Sequence, residues 1–295
     1  MNLDFQFIDK FINYIKVEKR YSDHTLIAYK TDLIQFSEYL EREYKVFIEN
    51  VKHLHIRSYV VDLMGNSVSN RSICRKLSTL KSFYKYLIRS GEIKSSPLIQ
   101  VQLPKTEKKL PNFVKEKDIL SLFNRDFFTD DLFGERDYLI MKTLYQTGIR
   151  LSELVHLRDI DLGNNEIKVV GKRNKERIVP ISFEFKNELK KFIETKKEHF
   201  NNGHGYLFVS DTGNKIYEKF VYRKVNHYLG NVSSQQKKSP HVLRHTFATH
   251  MLNNGADLNA IKEILGHENL SATQIYTHNS FEKLKNIHQQ AHPRG

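Results

Sequence analysis

Between Pro240 and His278 the chain reads PHVLRHTFATHMLNNGADLNAIKEILGHENLSATQIYTH. His241 and Arg244 come first, then His267, then Tyr276. Arginine offers a planar fork that matches the geometry of a phosphate. Imidazole donates to a phosphate oxygen or moves a proton near neutral pH. A tyrosine hydroxyl is a nucleophile once it is activated, its ordinary pKa being about 10. Together these groups suit covalent attack on a phosphodiester. Each has a plainer reading alone: a His-x-x-Arg pair as a solvated helix face, a Leu-Gly-His as a helix cap, a tyrosine as core or surface. A metal reading is weaker. His241 and His245 have the i, i+4 spacing of a zinc helix, but Val242 stands where the metalloprotease motif needs glutamate.

The elements that must hold these groups can be read around them. Pro240 suits a first helical turn, where its missing N–H costs nothing. Three residues apart, His241 and Arg244 share a helix face. Gly255 reads as the residue that ends that helix. A second short helix, 259–265, stops at Gly266 and leaves His267 just past its end. Upstream, a helix over 136–146 stops at the turn TGIR, and Arg150 opens the next helical segment, LSELVHL. Residues 167–181 read as strand, turn, strand. The tip spans 171–175, with Lys172, Arg173, Lys175 and Arg177 crowding it. Such a basic hairpin is either solvated or seated in a nucleic-acid groove, and the residues alone do not choose between Lys172 and Lys175 as an acid.

Four blocks carry a resemblance: LYQTGIRLSELVHLRDIDL, VVGKRNKERIVPI, HVLRHTFATHML and ILGHENLSATQIYTH, in that order. They resemble the signature of the tyrosine recombinase (phage integrase) family, most like its Xer-type members. The resemblance runs over nearly the whole chain, YSDHTLIAYKTDLIQFSEYL being similar to the start of the family's core-binding domain. It implies a catalytic set of Arg150, Lys172, His241, Arg244, His267 and Tyr276. It further implies site-specific cutting and rejoining of double-stranded DNA through a 3′-phosphotyrosine with a free 5′ hydroxyl, without cofactor or metal. Arg150 and Arg244 would clamp the phosphate, Lys172 would be the general acid, His241 would assist proton movement from Tyr276 or bind the phosphate, and His267 would donate a further hydrogen bond. Exchange would need two duplexes and a tetramer of this chain, alone or with a paralogous recombinase. A DNA translocase as activator is left open. Resolution of chromosome dimers at segregation is the expected role. The alternatives are a mobile-element integrase, strand relaxation of the type IB topoisomerase kind, and a DNA-binding regulator without catalysis.

Composition agrees with a polyanion partner. The chain of 295 residues carries 47 Lys and Arg against 34 Asp and Glu, a net charge of +13, and that excess points to nucleic acid. Hydrophobic residues make up 39%, enough for two cores. The single cysteine, Cys74, excludes an intrachain disulfide and fits a reducing, cytoplasmic compartment. No apolar run approaches a membrane span, and the first twenty residues do not read as a signal peptide.

The expected fold is mainly α with a small β-hairpin: an N-terminal helical, SAM-like core-binding domain over 1–104 and a C-terminal α+β catalytic domain over 105–295. Pro97, Pro104 and Pro111 interrupt helix through a linker at 95–112. The N-terminal helices read as 5–19, one capped by Ser22, 55–64 and a fourth beginning at Asn70. Arg71, Arg75, Lys76, Lys81 and Lys85 lie mostly off the apolar face of that fourth helix. Arg71, Arg75 and Lys81, with Arg173 and Lys175 on the hairpin, are the expected DNA contacts. Beyond the hairpin the pattern predicts helices over 184–194 and 219–229 and a short strand over 206–210. In the tail, Phe281, Leu284 and Ile287 recur every third residue, and the resemblance implies that this strip docks on a neighbouring protomer.

Overall fold

The structure is a computed structural model. It describes residues 3–99, 101, 104, 113–171, 174–200, 205–233, 238–266, 287–288 and 290–293. Contacts divide the chain into two compact units, Met1–Lys109 and Leu110–Gly295.

The first unit is helical: α1 (Leu3–Val17), α2 (Asp23–Tyr44), α3 (His53–Gly65) and α4 (Asn70–Arg89). Ser22 caps α2 and Ser69 caps α4, each side-chain oxygen accepting from the backbone N–H three residues on. Phe11, Leu33, Phe36, Leu40, Ile73, Leu80, Phe83 and Leu87 fill the core. Asp4 is buried there and accepts from Ser37 Oγ at 2.7 Å and from the backbone N–H of Ile48 at 2.9 Å, so its charge is solvated by the protein. Lys76 does not lie off the apolar face of α4 as the pattern suggested. It is buried and reaches Asp32 at 3.1 Å, because that carboxylate is itself inside and needs donors.

In the second unit α5 (Glu116–Leu122) precedes α6 (Leu132–Thr147), which is buried along almost its whole length. Asp131 caps α6 through the N–H of Gly134 at 2.7 Å. A short α7 (Leu151–Leu154) leads to the hairpin, β1 (Glu166–Val170) against β2 (Glu176–Pro180), antiparallel with Val169 opposite Arg177. Then come α8 (Phe183–His199), α9 (Glu218–Val232), α10 (Pro240–Asn253) and α11 (Leu258–Leu265). Residues 206–210 do not form the expected strand. Only isolated bridges form there, Arg158 with Tyr206 and Val209 with Lys215. The two bridges go to different segments, one residue each, so no continuous ladder forms along 206–210.

The described end of the tail also departs from expectation. Ile287, the last residue of the apolar strip, packs against the core of its own unit. His288 Nε2 lies 2.8 Å from the carbonyl oxygen of Gln146, and Asn254 Nδ2 donates to the carbonyl of Ala291 at 2.9 Å. Phe281 and Leu284 lie outside the described residues.

Candidate active site

Two helix ends meet at the site, and glycine makes both. α6 stops at Gly148, which takes φ +59. A Cβ there would stand 2.5 Å from Phe247 and 2.8 Å from Leu265, so the position excludes a side chain on two counts. The chain then turns into α7 with Arg150 at its N-cap. α11 stops at Gly266, φ +66, the residue immediately before His267.

The last carbonyls of a helix have no intrahelical partner and carry the negative end of its dipole. Here three arginines satisfy three of them in succession. Arg177 Nε donates to Ile264 O at 2.8 Å, Arg244 Nη2 to Leu265 O at 2.7 Å, and Arg150 Nη2 to Gly266 O at 3.0 Å. Arg244 Nη1 also donates to Gly148 O at 2.5 Å, so one guanidinium ties the end of α6 to the end of α11.

Glu153 binds the arginines to one another. Arg177 holds it with two parallel bonds, Nη1 to Oε1 at 2.9 Å and Nη2 to Oε2 at 2.8 Å. Arg150 takes the same two oxygens, Nη1 on Oε1 and its backbone N–H on Oε2, both at 2.8 Å. Burial alone would raise the carboxyl pKa of Glu153. The bonds and charge of Arg177, then those of Arg150, outweigh it and bring the value down to about 2. Burial, and then the positive charges of Arg150 and Arg177, push the Arg244 guanidinium down to about 10, with Glu153 opposing. At neutral pH Arg244 therefore remains a cation. Three guanidinium groups around one carboxylate leave positive charge in excess, held where a helix end fixes its direction. Such an arrangement stabilises an anion, most strongly one gaining charge.

The structure brings Arg150 and Arg244, two residues of the set implied by the resemblance, to neighbouring carbonyls at the end of α11. Arg150 is partly open, its side chain 29% exposed, whereas Arg244 is buried. His241 is exposed on the first turn of α10, after Pro240 at the helix start. Lys172, Arg173, His267 and Tyr276 lie outside the described residues. Of the expected DNA contacts, Arg71, Lys81 and Lys175 are exposed. Arg75 is exposed as well, but one of its guanidinium nitrogens is engaged by the buried Asp32. The site also contains two residues that sequence reasoning did not assign, Glu153 and Arg177. A signal for both existed: Glu153 follows Arg150 by three, the spacing of a capping box, and Arg177 shares the inward parity of Val179 on β2. A separate groove, lined by residues of both charges that include Arg125, Asp130, Glu188 and Lys191, contains none of these arginines.

Known proteins place this arrangement. Residues 112–283 match the phage integrase family, and residues 8–91 match the phage integrase N-terminal SAM-like domain. The chain is 40% identical to the tyrosine recombinase XerC of Staphylococcus saprophyticus over 282 residues, covering 95% of each. It is 37% identical to that of Chlorobaculum parvum over 317 residues, covering 98% of this chain and 94% of the relative. Among solved structures, the XerH site-specific recombinase bound to palindromic difH substrate, in a post-cleavage complex, shares the fold. Its TM-score is 0.73 at 21% identity, covering 95% of this chain and 83% of that one. The chain belongs to the phage integrase family. It is accordingly a tyrosine recombinase, an enzyme of site-specific recombination. No helix of the described residues is long and apolar enough to cross a membrane.

Proposed function

We propose that this chain cleaves and rejoins duplex DNA at a specific site through a covalent bond to Tyr276, and that it serves the resolution of chromosome dimers. The observation that supports the reading best is the convergence of Arg150 and Arg244 on the end of α11, which His267 and, nine residues later, Tyr276 follow in the sequence. In this reading the two guanidinium groups bind the non-bridging oxygens of the scissile phosphate. They stabilise the charge that accumulates as the phosphorus becomes five-coordinate. The Tyr276 oxygen forms a bond to phosphorus while the bond to the 5′ oxygen breaks. His241 receives the tyrosine proton, Lys172 gives a proton to the departing 5′ oxygen, and His267 donates a further hydrogen bond. The phosphotyrosine conserves the energy of the phosphodiester, so rejoining by a second 5′ hydroxyl runs the steps in reverse.

Residues 1–104 hold DNA through Arg71, Arg75 and Lys81 on α4, and residues 105–295 carry the chemistry, with Arg173 and Lys175 against the backbone. Strand exchange takes four protomers on two duplexes, with this chain alone or beside a paralogue, and a DNA translocase is a candidate activator. The resemblance of the sequence to the XerC recombinases supports the assignment to dimer resolution over integration of a mobile element.

The decisive variant is Tyr276→Phe, which removes only the nucleophilic oxygen. On nicked candidate sites it should bind as the unaltered chain does and form no covalent adduct. An adduct that persists moves the nucleophile elsewhere, Tyr222 or Tyr228 being the next tyrosines to test. A second assay mixes two duplexes. Exchange of strands between them supports a recombinase, and relaxation of supercoils without exchange supports the topoisomerase alternative.

A further inference from the structure

Arg177 is a charged residue on the buried face of a two-stranded hairpin, and that needs a cause. Its side chain is 5% exposed. Nε is spent on Ile264 O, and both terminal nitrogens face Glu153. It therefore cannot grip a phosphate, unlike the basic residues around it in sequence. What it does grip is the carboxylate on which Arg150 depends. Each oxygen of Glu153 is divided between the two arginines: Oε1 takes Arg177 Nη1 and Arg150 Nη1, and Oε2 takes Arg177 Nη2 and the backbone N–H of Arg150. A bidentate pair fixes the plane of a carboxylate, whereas a single-point cation lets it rotate. If the plane of Glu153 turns, both the backbone and the guanidinium of Arg150 turn with it. The contact with Ile264 O fixes the same guanidinium to the end of α11, one residue before the carbonyl held by Arg244 and two before the carbonyl held by Arg150. Gly266 keeps this approach open: a Cβ there would press on Arg177 at 3.1 Å.

We infer that Arg177 is a positioning residue, which aims Arg150 through Glu153 and locks that aim to the end of α11. The inference rests on the reading that Arg150 holds the scissile phosphate. It separates Arg177 from the hairpin lysines, which would act on the leaving group or on DNA. It also predicts which chemical change in the substrate relieves the loss of Arg177.

The test uses the full chain and nicked duplexes carrying a site captured from genomic DNA by the unaltered protein. Three versions of the scissile linkage are compared in single-turnover cleavage. One is an ordinary phosphate. One is a methylphosphonate, in which a methyl group replaces a non-bridging oxygen and removes the charge the arginines neutralise. One carries a 5′-bridging sulfur, which leaves without a proton. Arg177→Lys keeps the charge and loses the fork. On the ordinary phosphate it should slow cleavage by about 100-fold, as a misplacement near 1 Å can do, with site binding unchanged. The methylphosphonate should bring Arg177→Lys back toward the unaltered chain, as it should Arg150→Ala, and the bridging sulfur should not.

Rescue by the bridging sulfur instead, in the pattern of Lys172→Ala, would overturn the inference by placing Arg177 with the leaving group. An equal loss on all three linkages would overturn it in favour of a purely structural role. So would cleavage at the unaltered rate. Should Arg177→Lys fold poorly, the pair Glu153→Gln with Arg177→Met removes both buried charges together and is read on the same three linkages with the same outcomes. Failure of the unaltered chain to form an adduct on the ordinary phosphate would strike the reading of the site itself, a result distinct from any of these.

Discussion

Glu153 is 4% exposed and accepts from four N–H groups, two on Arg150 and two on Arg177. Buried charges of this kind stay ionised only while their partners remain, and removing one partner typically costs about 3–5 kcal/mol. The residue types that suggest chemistry in this sequence are the tyrosine, the histidines and the exposed cations. The geometry adds a buried carboxylate and a buried arginine that decide where Arg150 points. The lysines of the hairpin are the complementary case. Lys175 is exposed just ahead of β2 and offers its backbone carbonyl to Gly171 N–H at 2.8 Å, while its side chain is committed to no contact with the arginine cluster. If Lys172 is the general acid, Lys172→Ala should slow cleavage of a normal 5′ oxygen by about 10²–10⁴-fold, and a 5′-bridging sulfur should restore the rate. Lys175→Ala should leave cleavage of a normal linkage within a few-fold of the unaltered chain and should show no such restoration. The reverse pattern, read in the same single-turnover assay, would transfer the role to Lys175.

At the scale of elements the helix ends matter more than the helices. Gly148 and Gly266 give α6 and α11 left-handed exits, and the carbonyls there receive the arginines. Gly148→Ala should destabilise the second unit twice over: about 1–3 kcal/mol for a non-glycine residue in the left-handed region, and about 1–3 kcal/mol for crowding Phe247 and Leu265. Gly255→Ala is the comparison, since Gly255 has φ +85 but nothing within 4 Å of its added methyl. Urea unfolding should show a clearly lower midpoint for Gly148→Ala. Equal midpoints would mean that crowding plays no part. These ends were legible in the sequence because the turn TGIR and Gly266 close their helices as punctuation. The helices themselves followed from apolar spacing, with ends a few residues from those observed. Where the structure departs from the pattern, a buried charge or a missing partner segment is the cause. α8 runs to His199, past Glu194, because Lys196 turns inward to Asp159 at 2.6 Å and to the carbonyl of Tyr206 at 2.5 Å, although KKEH looks like solvated chain. Residues 206–210 find no continuous partner strand, which apolar content alone does not reveal. Arg177 looked like one more surface cation because alternation within five residues of a charged hairpin is weak evidence of direction.

At the scale of the whole molecule, three histidines, His250, His288 and His292, are buried in the second unit. His288 and His292 stack with ring centroids 5.0 Å apart, and Tyr145 packs on His292 at 4.9 Å. Nearby, His250 lies between the hydroxyl of Tyr145 and the carbonyl of Val114, each 3.0 Å away. Burial lowers the pKa of His288, with the bond to Gln146 O opposing, and burial likewise lowers that of His250, with the carbonyl of Val114 opposing. The folded chain therefore holds these rings neutral, while the unfolded chain protonates them near the ordinary value of 6.5. The unfolded state binds more protons below that pH, so the stability they contribute is complete above about 6.5 and falls as pH drops toward their lowered folded values. Glu153 works in a lower window, its contribution lost between its ordinary value of 4.5 and its folded value of about 2. The melting temperature should thus stay level from pH 8 to 7 and decline between about pH 6.5 and 5, before any carboxylate loss begins. Part of that decline belongs to the tail. Deleting residues 281–295 removes His288, together with Ile287 and the carbonyl that Asn254 uses, so it should lower the melting temperature at pH 7.5 and, through the loss of the buried His288, flatten the slope below pH 6.5. An unchanged melting temperature with lost cooperative binding to a full site would instead return the tail to its expected place on a neighbouring protomer.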